Sequence, residues 1–264
     1  MNFRVCISLF LLCCLSQSLT AQKPVTKPKE VTVKAMTYNT YSGRKQGINK
    51  IAEVIKKENP DIVSLQEIER NTEINPWDTP KKLSELTGMK YYYFAHALDI
   101  PTGGDYGNVI LSKYPVSEEK SFKLSVLKEG DYVRSFGYVK VSKEGKEFYF
   151  ATTHLDHKYE DAARLKQVDE ILACVELLDK PVILGGDLNS RRGSATMAAF
   201  QKYFTVNCLS DDAPWTVPVP NPTYACDWLI YAPKEAFTVK AYNVCYWADK
   251  ESDHYPVVAT YLIK

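Results

Sequence analysis

Several short polar segments stand at the ends of strand-like runs in this chain. Asn39 follows the run from Val31, Gln66-Glu67 follows Ile62 to Leu65, and His154 follows Phe148 to Thr153. Gly185-Gly186-Asp187-Leu188-Asn189 follows Val182 to Leu184, and Ser252-Asp253-His254 comes just ahead of the last strand-like run. Carboxylates and amide oxygens bind hard cations, and carboxylates and imidazoles exchange protons. One such residue at a strand end is ordinarily turn chemistry, and an isolated Asp-His pair is ordinarily a surface loop. Their joint occurrence at strand ends, where open sheets gather their sites, points to one shared site.

The elements that must position these residues follow from periodicity. Val31, Val33, Ala35 and Thr37 alternate with Thr32, Lys34 and Met36, as in a strand. Ile48, Ile51, Ala52 and Ile55 recur at helical spacing, stopping near Pro60, and Ile62 to Leu65 reads as a buried strand. Such a strand–helix–strand unit places its strands parallel. The second half echoes it, with Phe148 to Thr153, a helix from near Glu160 to Leu178, and Val182 to Leu184. Val109 to Ser112, Tyr132 to Val141, Trp228 to Tyr231, Thr238 to Val244 and Val257 to Leu262 are further strands. Many strands with few long helices predict two packed sheets with helices outside. The two glycines ahead of Asp187 are expected to give the backbone a tight turn.

Taken together, Thr37-Tyr38-Asn39, Gln66-Glu67, Tyr106-Gly107-Asn108, Leu111-Ser112-Lys113-Tyr114-Pro115, Thr153-His154-Leu155, Gly186-Asp187-Leu188-Asn189 and Ser252-Asp253-His254-Tyr255-Pro256-Val257 carry a resemblance. The chain resembles the endonuclease/exonuclease/phosphatase superfamily, the deoxyribonuclease-I-like fold. The segments run in family order through nearly all of the chain after its apolar start. The resemblance implies an α/β class, a four-layer sandwich of two packed mixed β-sheets flanked by helices, spanning 31–264. It also implies a phosphoesterase that uses Mg²⁺, or Mn²⁺ in its place. Metal ligands are then expected at Asn39, Glu67 and Asp253, all hard oxygen donors. Asp187 would take the proton of the attacking water, and Asn189 would position that water or the phosphate. His154 and His254 would donate to the phosphate as charge builds, one of them protonating the leaving group. Asp227, in Asp227-Trp228-Leu229-Ile230, is the expected partner of His254, favouring its charged form. Asn108 and Arg191 are candidate substrate contacts. One departure matters: base-excision nucleases of the superfamily carry an Asp two residues past the first Asn, and here that position is Tyr41. That shifts the expectation away from DNA repair.

Length and composition set the outer limits. The 264 residues, 45% hydrophobic, suffice for one large domain with a substantial core. A net charge of +1 argues against a protein that depends on bulk phosphate contacts with nucleic acid. Arg4, the apolar run Val5 to Leu15 and Thr20-Ala21 before Gln22 read as a cleaved export signal over 1–21. A polar leader follows over 22–30. Alternatives are an uncleaved anchor or a lipoprotein through Cys13 or Cys14. Export places the chain in the periplasm or outside the cell. It would also permit a disulfide among Cys208, Cys226 and Cys245, whereas Cys174, in a helical pattern, is expected as a free thiol. The substrate expectation is a small or lipid-derived phosphate ester rather than nucleic acid. The alternatives are an extracellular nuclease and a non-catalytic binding protein on the same scaffold. No protein partner and no transmembrane segment after the signal are inferred.

Overall fold

The computed structural model describes residues 30–158, 160–206 and 214–264. The expected export signal, most of the expected leader and Cys208 lie outside the described residues. One sheet has the strand order β11 (Phe237–Val244), β12 (Val257–Ile263), β1 (Val31–Asn39), β2 (Ile62–Arg70), β4 (Asp105–Ser112), β3 (Tyr91–Asp99). The other has the order β5 (Val116–Leu124), β6 (Arg134–Lys143), β7 (Lys146–His154), β8 (Val182–Asp187), β10 (Asp227–Ala232), β9 (Thr205–Val206). In each sheet one neighbouring pair is parallel, β1 with β2 and β7 with β8, and the other pairs are antiparallel. The two parallel pairs are the expected strand–helix–strand units, joined by α1 (Ile48–Glu58) and α3 (Ala162–Val175).

Three apolar layers hold the sheets and helices together. Val33, Ala35 and Tyr261 of the first sheet meet Phe148, Phe150 and Leu229 of the second in the middle. Ile51 and Ile55 of α1 and Leu83 of α2 (Thr79–Thr87) cover the first sheet over Val63 and Leu65. Val168 and Ile171 of α3 and Met197 of α4 (Ala195–Phe200) cover the second over Leu184 and Trp228. This is the expected four-layer sandwich. The chain stops α1 at Asn59, which takes the left-handed conformation (φ 51°) and returns its N–H to Ile55 O. Among the described residues no helix is long and apolar enough to cross a membrane. Cys174, Cys226 and Cys245 are free thiols.

The glycines before Asp187 differ from expectation. Gly185 and Gly186 lie within β8, not in a turn. Their role is close approach. A Cβ on Gly186 would stand 2.5 Å from Thr153 O of the neighbouring strand, and one on Gly185 would stand 3.0 Å from Ser64 Cβ of the opposing sheet. Lacking Cβ atoms, these residues let β8 press against both neighbours, and Asp187 gains its position from strand packing rather than from a bend.

Candidate active site

Strand register brings the site together. Parallel pairing sets Asn39 beside Gln66 and His154 beside Asp187, and antiparallel pairing sets Asp227 beside Asp187. The ends of the two parallel pairs thus meet across the sandwich. Asn39 joins them: its Nδ2 donates to Glu67 Oε1 (3.1 Å) and to Asp187 Oδ2 (3.0 Å). The Asn39 amide oxygen accepts from Tyr41 N at 3.1 Å, so this residue turns its NH₂, not its oxygen, to the two carboxylates. Ser252 Oγ donates to Asn39 O (2.7 Å) and contacts Asp253 Oδ1 (3.2 Å), tying the His254 loop to the end of β1.

Glu67 and Asn189, both in the cavity lining, depart from regular backbone. Glu67 has φ 57° and sits where the β2–β4 register slips between Leu65 and Ile68. Asn189 has φ 46°, and its backbone N–H donates to Asp187 Oδ1 at 2.9 Å. Left-handed backbone costs a residue with a Cβ about 1–3 kcal/mol, and such strain gathers at functional sites. The irregularity at β2 falls at the residue whose carboxylate lines the cavity.

His254 Nδ1 lies 2.9 Å from Asp227 Oδ2, the pairing expected from sequence. Thr216 Oγ1 donates to the same oxygen at 2.5 Å, and Cys226 Sγ–H points at it from 3.4 Å. Burial disfavours a charged ring, but Asp227 and Asp187 outweigh burial and push the His254 pKa up to about 10. His154 goes the other way. Burial, reinforced by the Arg134 guanidinium and His254, holds its pKa well below the usual histidine range. The Asp187 carboxyl is raised by burial and by Asp227. Burial raises Glu67 as well, partly offset by the Asn39 hydrogen bond and reinforced by Asp187. One carboxylate therefore lies between the two imidazoles: Asp187 Oδ2 is 3.4 Å from His154 Nε2 and 3.9 Å from His254 Nε2.

These groups open into a cavity of about 370 Å³ whose rim includes residues that no motif singled out. Arg134 is 5% exposed; its Nη1 donates to Tyr106 Oη (3.1 Å), and Tyr132 stands edge-on to Tyr106. Arg44, paired with Glu69, and His157 also line the cavity. Arg134 opens a strand read from sequence as starting at Tyr132, but nothing in its local spacing marks it. Two expected substrate contacts sit apart from this cavity lining. Asn108 is buried and donates to Ser135 O and Oγ (3.1 and 3.2 Å), bridging the sheets. Arg191 stacks on the Tyr224 ring at 4.1 Å in a neighbouring groove that shares Asn189 and His157 with the cavity. Asp253 is partly exposed beside Ser252. Trp77 and Trp215 are exposed, Trp77 beneath the Lys82 ammonium. His96 contacts Asp99 on the β3–β4 hairpin.

A hard cation fits only part of the donor set. Asp187, Cys226, Asp227 and His254 bring one donor atom each within 4.8 Å of one another, but a thiol is a soft ligand and His254 is held as a cation by Asp227. Glu67 adds a hard carboxylate to the cavity lining, hydrogen-bonded by Asn39.

Comparison with known proteins agrees with this geometry. The family model described as the endonuclease/exonuclease/phosphatase family matches residues 36–254. Sphingomyelinase C 1 of Leptospira interrogans is 30% identical over 128 residues, 43% of this chain and 20% of that protein. A phospholipase C of Staphylococcus aureus is 30% identical over 116 residues, 39% of this chain and 35% of that protein. The chain therefore spans well under half the length of either relative. Among solved structures, an endonuclease/exonuclease/phosphatase from Beutenbergia cavernae superposes with TM-score 0.76 at 23% identity, covering 88% of this chain and 72% of that one. Its sandwich is the one described here. The chain belongs to the endonuclease/exonuclease/phosphatase family, whose members are hydrolases of phosphoester bonds that generally use divalent metals.

Proposed function

We propose that this chain is an exported, Mg²⁺-dependent hydrolase of small or lipid-derived phosphate esters. The observation that carries the proposal is the Asp187 carboxylate, fixed by Asn39 and Asn189 and flanked by His154 and His254. Glu67 would hold the ion, with Asp253 contributing directly or through water. Asn39 serves it in its present orientation by pinning Glu67, and as an oxygen ligand only if its amide turns over. When bound, Mg²⁺ supplies Lewis-acid polarisation of a phosphoryl oxygen.

The protein's own groups do the rest. Asp187 Oδ2 accepts the proton of the attacking water, and its raised affinity for protons suits a base. Asn189 holds that carboxylate through its backbone N–H and offers its side chain to water or phosphate. His254, charged through its pairing with Asp227, donates from Nε2 to a phosphoryl oxygen as negative charge grows there. Arg134 and the rim tyrosines bound the space for the ester.

The near-neutral charge and the relatives named sphingomyelinase and phospholipase C support a head-group ester over nucleic acid. The test is a hydrolysis screen with Mg²⁺ or Mn²⁺ across choline phosphodiesters, sugar phosphates and DNA, on protein recovered from the native host. Turnover of a head-group diester or small monoester, with DNA cut far more slowly, is expected. Faster cleavage of DNA favours the nuclease alternative, and no turnover of any ester favours the binding protein. The same material should begin near Gln22; an intact Met1 on cytoplasmic protein would overturn export.

A further inference from the structure

His154 meets two donor groups with one proton to share. Arg134 Nη1 lies 3.1 Å from its Nδ1. A guanidinium has N–H donors and no acceptor, so this contact is a hydrogen bond only if Nδ1 carries a lone pair. Asn189 Nδ2 lies 3.0 Å from its Nε2 and also 3.0 Å from Leu155 O. The Leu155 carbonyl can only accept, which fixes the amide nitrogen on this side. A neutral imidazole has one N–H and one lone pair. It cannot accept from Arg134 and Asn189 together.

Magnitudes decide between them. A hydrogen bond from a charged donor is about twice as strong as a neutral one. Arg134 is also hard to displace: it is buried, its Nη1 donates to Tyr106 Oη, and its Nη2 lies 3.4 Å from His157 Nδ1. Asn189 has Leu155 O as an alternative acceptor. On the Nε2 side an acceptor for a proton is already in place, Asp187 Oδ2 at 3.4 Å. We infer that Arg134 is a positioning residue that locks His154 in the Nε2–H tautomer, making it a neutral donor on the Asp187 side of the cleft. The low pKa of His154 agrees with this. The two histidines then differ in kind: His254 is held as a cation by Asp227, and His154 is held neutral by Arg134. That His154 donates from Nε2 to a phosphoryl oxygen rests on the phosphoesterase reading; the tautomer does not.

The test is long-range ¹H–¹⁵N spectroscopy of histidine-labelled protein at neutral pH, with the ring of His154 assigned by its loss in His154→Asn. Wild-type protein should show His154 Nδ1 unprotonated and Nε2 protonated. Arg134→Met removes the donor and should move His154 to the Nδ1–H tautomer, with Nε2 accepting from Asn189. Arg134→Lys keeps a donor and should hold the wild-type tautomer. Should the Met variant not fold, Arg134→Gln, whose amide oxygen can face an Nδ1–H, gives the same readout. A protonated Nδ1 in wild type, or an unchanged tautomer in the Met or Gln variant, overturns the inference. Absence of ester hydrolysis with Nε2–H in place leaves the inference standing and counts against the phosphoesterase reading alone.

Discussion

Asp187→Asn should lower the turnover of a phosphate ester by roughly two to four orders of magnitude, the range for a positioned acid–base group. The substitution keeps the shape of the side chain, and the β8 backbone that carries it is pressed between its neighbours by Gly185 and Gly186. What it removes is the proton acceptor between His154 and His254. KM should change little, because the lost interaction matters mainly in the transition state. Steady-state kinetics on folded variant protein, at saturating substrate and metal, measures both quantities. Near-normal kcat would remove Asp187 from the base role, and with it the catalytic reading of Gly186-Asp187-Leu188-Asn189.

His254→Ala should cost a comparable factor in kcat through lost charge stabilisation, and Asp227→Asn should act through the same ring. The 2.9 Å contact between Nδ1 and Oδ2 makes the pair a unit, so the double variant should be little worse than His254→Ala alone. Fully additive losses would mean the two residues work separately. The pairing also has a pH signature. With its pKa pushed up to about 10, His254 stays charged across neutral pH, and activity that depends on the cation should fall only as pH rises toward that value. Asp227→Asn should bring the alkaline fall to lower pH. The sign for stability is the same: the raised pKa contributes fully below the unfolded value of about 6.5 and is lost as pH rises through the folded value.

Much of this site was legible because chemistry sits where apolar runs stop. Val182 to Leu184 had to be a buried strand, so Asp187 had to emerge near its end, and parallel pairing then had to bring His154 beside it. The Asp227–His254 contact was legible only through the family resemblance, since 27 residues separate the two. Arg134 was not legible. A strand-opening arginine has many ordinary uses, and its importance comes from Tyr106, His154 and His157, which lie 28, 20 and 23 residues away in sequence. Thr216 was silent for the same reason. Among the elements, β5 escaped because it is a polar edge strand with Glu118, Glu119 and Lys120 exposed. The helix α2 also went unread, although its ends carry signals: Asp78 caps it, Pro80 opens it, and Gly88 closes it in the left-handed conformation. The Gly-Gly pair was recognised as important but given the wrong reason, because a clash with an opposing sheet cannot be seen from one strand.

Mg²⁺ activation of Glu67→Gln tests the account most directly, because it joins the metal, the irregular backbone at β2 and hydrolysis in one measurement. Wild-type protein stripped with chelator should be inactive and should regain turnover on titration with Mg²⁺. Glu67→Gln preserves the hydrogen-bonding shape beside Asn39 but removes the charge that a hard cation needs. The variant should fold normally, require far more Mg²⁺ for half-activation, and bind Mg²⁺ weakly by calorimetry. A Glu67→Gln protein with the wild-type Mg²⁺ titration, in both binding and turnover, would contradict the assignment of the metal to this carboxylate.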